Sequence, residues 1–240
     1  MTEQLNSNKL NDLCPSCFER TNGANFCEVC GYNLVAPPEE DWNKLGIGTV
    51  LLGRYLIGRT LGQGGFGITY LGFDTRLGTK LAIKEYYPSG LAVRNTGDKT
   101  VMLASRDVGT DFKEGLEKFL EEARTLARFD QHPNIVSVRD FFEQNGTAYM
   151  VMNYLEGKTM LQYLKEKGGK ISFQEATNLL FPVMDALDTV HASGLIHRDI
   201  SPDNVFISND GQVRLLDFGA AKSAMALVNQ QSHSIVLKKG

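Results

Sequence analysis

Two short polar motifs near the carboxyl end constrain this chain more than any other feature. They occupy residues 197–204 (H-R-D-I-S-P-D-N) and 217–219 (D-F-G). Asp199 is a carboxylate able to receive a hydroxyl proton, and Asn204, five residues later, is an amide able to ligate a metal. Asp217 adds a second carboxylate thirteen positions further on. Two motifs with fixed internal spacing, in this order and at this distance, rarely occur together by chance.

A glycine-rich pattern, G-x-G-x-x-G, stands at Gly62, Gly64 and Gly67. Alone it is a weak signal, because the same pattern marks dinucleotide-binding folds, where it opens a helix. Here it is followed by residues 68–73, which are β-branched and aromatic and therefore predict a strand. The pattern thus predicts a strand–loop–strand arrangement, and a plain glycine-rich hairpin is the alternative for the loop taken by itself.

Together these motifs resemble those of bacterial-type serine/threonine protein kinases. The resemblance extends from about Tyr55 to the carboxyl end. It implies an α+β, bilobal fold, with a five-stranded antiparallel small lobe and the first part of a helical large lobe in a domain of residues 55–240. It also implies ATP-dependent phosphorylation of serine and threonine hydroxyls on protein substrates, with ATP and Mg²⁺ or Mn²⁺ as cofactors.

The resemblance assigns five catalytic residues. Asp199 would orient the substrate hydroxyl and accept its proton, while Asn204 and Asp217 would hold Mg²⁺. Lys84 ends the segment L-A-I-K, which matches the V-A-I-K strand whose lysine pairs with the α- and β-phosphates. Glu122 fits the F-x-x-E-A pattern of the helix that supplies the partner of this lysine, and the apolar residues around it have helical spacing.

The resemblance further assigns residues that would contact the nucleotide. Thr69 stands where the family usually has valine, Met152 would border the adenine pocket, and backbone groups of Asn153 and Leu155 would bond the base. The complete set expected to contact nucleotide or its metal is Leu61, Gly62, Gly64, Gly65, Phe66, Gly67, Thr69, Ala82, Lys84, Met152, Asn153, Leu155, Asn204 and Asp217.

The chain departs from the family pattern at three points. Ser201 stands where most serine/threonine kinases have a lysine that contacts the γ-phosphate, and a hydroxyl brings no charge. Residues 91–103 form an insertion that reads as a β-hairpin. The chain ends at Gly240, inside the expected activation segment, so we expect an incomplete kinase domain and exposed apolar residues on a helix over 172–192.

Two further residues of the first motif have expected roles outside the chemistry. His197 would be a buried packing residue rather than a base. Arg198 would pair with a phosphorylated residue of the activation segment, for which Ser223, Ser232 and Ser234 are the candidates.

All four cysteines lie near the amino terminus, as Cys14-x-x-Cys17 and Cys27-x-x-Cys30. Four thiolates suit tetrahedral Zn²⁺ and leave no open position, which is typical of a structural site. We expect a zinc ribbon over residues 1–34 and a linker over 35–54; two disulfides or a redox dithiol are the alternatives. The ribbon would be an interaction module with an unknown partner.

The overall composition excludes some functions. A net charge of −3 argues against non-specific binding to nucleic acid. With no run of 18 apolar residues and no signal peptide, we expect a cytoplasmic protein without a membrane segment in this chain, while an anchor beyond Gly240 stays open. The alternatives to a kinase are an inactive ATP-binding or scaffold fragment and, less favoured, a small-molecule phosphotransferase of related fold.

Overall fold

The computed structural model describes residues 12–36, 43–95 and 98–218, and the backbone of residues 222–223. The strands are β1 Val50–Leu51, β2 Tyr55–Gln63, β3 Gly67–Asp74, β4 Thr79–Tyr86, β5 Ala92–Arg94, β6 Val101–Leu103, β7 Val138–Gln144, β8 Thr147–Asn153, β9 Gly157–Thr159, β10 Leu195–Ile196, β11 Val205–Ser208, β12 Val213–Leu215 and β13 Lys222–Ser223. The helices are α1 Gly109–Ala127, α2 Met160–Glu166 and α3 Phe173–Ala192, and a 3₁₀ turn spans Arg106–Val108.

These elements form two compact units. Of the described residues, the first unit contains those up to Leu120 together with Val138–Tyr154, and the second contains Glu121–Ser137 and those from Leu155 onward. Along the residues that the model describes, no helix is both long enough and apolar enough to span a membrane.

The first unit is built on an antiparallel sheet with strand order β1-β2-β3-β4-β8-β7. Five of its strands are those expected for the small lobe, and the predicted fold class is confirmed. The sixth, β1, lies in the predicted linker 35–54. It joins the sheet because Leu51 and the nearby Leu45 bury their side chains, and the Leu45 N–H donates to the Tyr70 hydroxyl at 3.1 Å.

Successive side chains of β3 and β4 alternate between the two faces of this sheet. Thr69 pairs with Lys84 and Leu71 pairs with Ala82, so these four residues share one face, which we call the front face. The register places Tyr70 and Glu85 on the opposite, back face, where both are fully buried.

The predicted insertion hairpin is present as β5 and β6, and it attaches to the back face through a buried ion pair. Arg94 bonds Glu85, and both side chains are almost completely excluded from solvent. The hydroxyls of Tyr70 and Tyr149 each donate to Glu85 at 2.9 Å. Arg94 also donates to the carbonyl of Asn43 at 3.0 Å. Burial raises the pKa of Glu85, and these donors oppose that rise.

In the second unit, α3 begins as expected at the N-cap Ser172. Its hydroxyl accepts from the backbone N–H of Glu175, and the Glu175 carboxylate accepts from the backbone of Ser172, which forms a capping box. Val183, Ala186 and Val190 form the buried stripe of this helix. Other apolar residues of α3 are exposed, as predicted; they are Phe173, Leu180, Phe181 and Met184.

We expect Arg94→Ala to lower the free energy of unfolding by about 3–5 kcal/mol, because it leaves the Glu85 charge buried without its partner. Urea unfolding at pH 7 measures this change. Arg76→Ala, at an exposed turn position of the same unit, is the matched control and should change stability by less than about 0.5 kcal/mol.

The double variant Arg94→Ala/Glu85→Gln should be more stable than Arg94→Ala alone, because it removes the unpaired charge. A double variant that is no more stable would show that the lost packing of Arg94, rather than the buried charge, causes the effect.

Candidate active site

The glycine-rich loop joins β2 to β3 with open space around its first glycines. A Cβ atom built on Gly62, Gly64 or Gly65 would meet no protein atom within 4 Å, and none of the three has a positive φ. Neither packing nor backbone conformation therefore requires glycine here. Gly67 differs from these three, because a Cβ atom added there would collide with the carbonyl oxygen of Glu85. The loop is thus free for a ligand to approach its backbone closely.

The front face carries the other residues predicted to contact nucleotide in the first unit. Thr69, Ala82, Lys84 and Met152 are half-buried, whereas their back-face neighbours are fully buried. The Lys84 ammonium lies 5.8 Å from the ring centre of Phe119 in α1. The front face therefore carries accessible apolar side chains with the Lys84 ammonium beside them.

The second unit contains residues 197–204, the predicted catalytic loop. The Asn204 side-chain amide donates to the Asp199 carbonyl at 3.0 Å and to its carboxylate at 2.9 Å. Both bonds use the amide nitrogen, so they do not occupy the Asn204 oxygen, which is the atom that could ligate a metal. Asp199 is exposed, as a group that must reach a substrate should be.

A hairpin explains the thirteen-residue separation between Asn204 and Asp217. β11 begins directly after Asn204, and β12 returns antiparallel to end at Leu215, which pairs with Val205. The N–H of Leu216 donates to the Asn204 carbonyl at 2.8 Å. The hairpin therefore returns the chain to Asn204 one residue before Asp217.

Two non-glycine residues of this region have positive φ, Arg198 at 71° and Asp217 at 25°. Such conformations cost of order 1–3 kcal/mol each and persist where surrounding structure holds them. Both residues lie in the predicted motifs: Arg198 directly precedes the predicted proton acceptor Asp199, and Asp217 is itself a predicted metal ligand.

Glu122, in α1, is buried and its carboxylate accepts from the backbone N–H of Phe218 at 3.3 Å. The neighbouring Glu121 is exposed. Phe218 is buried between Phe129 and His197, with ring centres 6.2 and 4.6 Å away. Glu122 is thus tied to the D-F-G motif within the second unit.

His197 is buried, in agreement with its predicted packing role. The N–H of Asp199 donates to His197 Nδ1 at 3.3 Å, and Nε2 lies 3.4 Å from the carbonyl oxygen of Leu216. One ring nitrogen accepts and the other donates, as in neutral imidazole. Burial lowers the pKa of His197.

Some predicted residues lie outside the described residues, namely Gly219, Ser232 and Ser234. Ser223 is described by its backbone alone, in β13, where it pairs with Leu195.

The four cysteines converge in the first unit. The Sγ atoms of Cys14 and Cys30 are 3.6 Å apart, as are those of Cys17 and Cys27, and all four lie within 4.8 Å of one another. A disulfide would require about 2.05 Å. Burial raises the pKa of Cys14 and Cys17. Burial also opposes ionisation of Cys27, but hydrogen bonds from backbone N–H groups and from neighbouring thiols together outweigh it and lower the pKa of Cys27 to about 7. The cluster could hold a metal.

Residues 12–36, which we call the cysteine ribbon, contain the same turn twice. The backbone N–H of Phe18 donates to Cys14, and the N–H of Gly31 donates to Cys27, each at 2.8 Å. Both donors have positive φ, 57° for Phe18 and 71° for Gly31. The first turn thus places a phenylalanine where the second has glycine, at a cost of order 1–3 kcal/mol.

Sequence reasoning missed the residues that attach this ribbon to the sheet. Phe18 lies on Phe73 with ring centres 5.3 Å apart, and Gly58 of β2 faces the ribbon. The sequence did contain one sign of this attachment: Phe18 occupies the turn position where the second Cys-x-x-Cys motif has Gly31.

Comparison with known proteins identifies the family. A model of the protein kinase domain matches residues 55–236. Serine/threonine-protein kinase PknA of Mycobacterium tuberculosis is 36% identical over 185 residues, covering 75% of this chain and 38% of PknA. PrkC of Bacillus subtilis is 31% identical over 190 residues, covering 79% of this chain and 26% of PrkC. A solved structure described as "PpkA-294 apo form" is 39% identical with a TM-score of 0.70, covering 80% of this chain and 66% of that one.

This chain therefore belongs to the protein kinase family, and its resemblance to bacterial serine/threonine kinases is confirmed. It spans less than two fifths of the length of the curated relatives named above.

We expect acid to destabilise the chain partly through His197. The unfolded state binds a proton with a pKa near 6.5, whereas the folded state resists it, so the free energy of unfolding falls as the pH drops below about 6.5. Thermal unfolding midpoints between pH 7.5 and 5.5 measure this dependence. His197→Gln should weaken the pH dependence, and His191→Gln, at an exposed site, should preserve it. Equal slopes in both variants would contradict the assignment.

Proposed function

We propose that this chain catalyses ATP-dependent phosphorylation of serine and threonine hydroxyls on protein substrates. The observation that carries this proposal is the arrangement of the catalytic loop. Asn204 holds the Asp199 carboxylate through its amide nitrogen, and the hairpin of β11 and β12 returns the chain to Asn204 just before Asp217. This arrangement supports one proton acceptor beside two oxygen ligands for a metal.

In the proposed reaction Asp199 orients the substrate hydroxyl and accepts its proton. Asn204 and Asp217 would hold Mg²⁺ or Mn²⁺, which would neutralise charge on the phosphate oxygens. The bond to Asn204 restricts the Asp199 side chain before substrate arrives, and such positioning accounts for much of the catalysis of phosphoryl transfer. Glu122, held by the Phe218 N–H, and Lys84 would complete the family's ion pair.

The nucleotide would bind on the front face of the first unit. The open glycine loop would let backbone N–H groups approach the phosphates, and Lys84 would supply a positive charge for them. The adenine would contact Thr69, Ala82 and Met152, which are half-buried and apolar or partly apolar. Leu61, Phe66, Asn153 and Leu155 keep their expected contacts as part of this proposal.

We further propose that the four cysteines bind structural Zn²⁺. Tetrahedral coordination at the usual Zn–S distance separates sulfurs by about 3.8 Å, close to the 3.6 Å of the two pairs. Four thiolates leave no position for a substrate, so this metal would stabilise the fold. Reduced, metal-bound cysteines favour the cytoplasm as the location.

Replacing Asp199 by alanine should lower the rate of phosphate transfer by ~10²–10⁴-fold, because the proton acceptor is lost. The measurement is transfer of labelled γ-phosphate from ATP and Mg²⁺ to a basic protein substrate. Asp188→Ala, an exposed carboxylate on α3, is the control and should retain the parent rate. A residual Asp199→Ala rate above a tenth of the parent would exclude Asp199 from this role, and no transfer by the parent would contradict the proposed activity.

The purified chain should contain one zinc ion, and Cys17→Ser should lose most of it, because three thiolates and a hydroxyl bind zinc more weakly. Elemental analysis of the protein gives the stoichiometry. Ser16→Ala, which leaves all four thiols, should keep one zinc per chain. Mass spectrometry that finds two disulfides and no metal would overturn the zinc assignment.

A further inference from the structure

We propose that the cysteine ribbon forms one wall of the nucleotide site, so that metal on the ribbon and nucleotide on the sheet stabilise each other's binding. This inference rests on the proposed function, since it requires that the front face binds adenine nucleotide and that the cysteines bind metal. It assigns the ribbon an intramolecular partner, the front face of the kinase sheet.

The ribbon is attached to the sheet by backbone and side-chain contacts. The carbonyl of Ser16, inside the first Cys-x-x-Cys turn, accepts from the N–H of Arg59 at 2.9 Å. The buried Phe18 ring packs on Phe73. Lys80 also forms an ion pair with Glu19. Each contact on the ribbon side comes from the first turn or the residue after it.

Gly58 shows how closely the two surfaces approach. A Cβ atom on Gly58 would lie 2.6 Å from the Ser16 carbonyl oxygen and 2.8 Å from the Phe18 ring. Gly58 lacks the positive φ that would otherwise call for glycine. The close approach of the ribbon is therefore the reason that this strand position has no side chain.

The ribbon contacts the same face of the sheet as the predicted nucleotide residues. Leu71 and Phe73 belong to one buried cluster with ribbon residues, and they share the face of β3 that carries Thr69. Leu71 is two residues from Thr69, or about 7 Å along the strand, and it pairs with Ala82. The part of the front face that the ribbon covers is therefore directly adjacent to the residues predicted to contact adenine.

The buried cluster shared by the ribbon and the sheet extends to the end of β8. Tyr154 packs against the cluster that the ribbon residues Cys14, Cys17, Phe18 and Cys27 form with β3, and it directly follows Asn153, one of the residues predicted to bond the base. Displacing the ribbon would therefore remove support from two strands that face the nucleotide, β3 and β8.

The contacts between the ribbon and the sheet require a folded ribbon, and the ribbon requires its metal to fold. A segment of this size has too little core to fold without its metal, so metal loss would disorder the turn that holds Ser16 and Phe18. If the ordered ribbon strengthens nucleotide binding, then bound nucleotide must strengthen metal binding by the same factor. Couplings of this kind typically change affinity by about 5- to 150-fold.

The first experiment measures the affinity of the full chain for Mg·ADP by titration calorimetry, before and after zinc removal with a zinc-selective chelator. We expect removal to weaken binding by ~5-fold or more. Reciprocally, saturating Mg·ADP should slow zinc transfer to a chromogenic chelator. An unchanged affinity in a zinc-free chain would overturn the inference and leave the proposed function intact, whereas no ADP binding by the zinc-loaded parent would overturn both.

Gly58→Ala separates attachment of the ribbon from the metal itself, because it collides with Ser16 and Phe18 but leaves every cysteine in place. We expect it to keep one zinc per chain and to weaken Mg·ADP binding by a similar factor. Gly46→Ala, where a Cβ meets no atom within 4 Å, is the control and should bind ADP like the parent. Faster hydrogen exchange in the ribbon of Gly58→Ala would show that the ribbon is detached. If this detached variant bound ADP as tightly as the parent, the coupling would be refuted. This test holds even if zinc removal unfolds the chain.

Discussion

The alternation of side chains along β3 and β4 is the constraint on which the rest of the first unit depends. One set of positions, with Thr69 and Lys84, forms the front face, and the other set, with Tyr70 and Glu85, forms the back face. A one-residue shift in register would exchange the two sets and expose the buried Glu85. The predicted nucleotide contacts and the structural ion pair are therefore arranged by the same backbone geometry.

The two faces are stabilised in different ways. On the back face Arg94 and two tyrosine hydroxyls satisfy a carboxylate removed from water, so the insertion hairpin is attached by a polar contact that tolerates few substitutions. On the front face the cysteine ribbon covers the far end with aromatic and aliphatic contacts, as in the pair of Phe18 and Phe73. Between the ribbon and Lys84 the front face is half-buried and accessible, as the proposed nucleotide site requires.

In the second unit, hydrogen bonds hold exposed polar groups in one fixed geometry. The hairpin of β11 and β12 brings the end of the catalytic loop beside the start of the D-F-G motif, and Asn204 bonds both Asp199 and Leu216. The buried side chains of His197 and Phe218 pack against each other and support these residues from within the protein. The strained φ values of Arg198 and Asp217 are held by these surrounding contacts.

The sequence by itself determined the family, the strand–loop–strand character of the glycine loop, the insertion hairpin and the α3 helix. These depend on local spacing, caps and residue type, which a linear pattern records directly. Only the tertiary structure decided that Arg94 pairs with Glu85, that β1 extends the sheet and that the ribbon packs on the front face through Gly58. Such contacts join residues distant in sequence, and their free energy comes from burial and close approach, which no local pattern specifies.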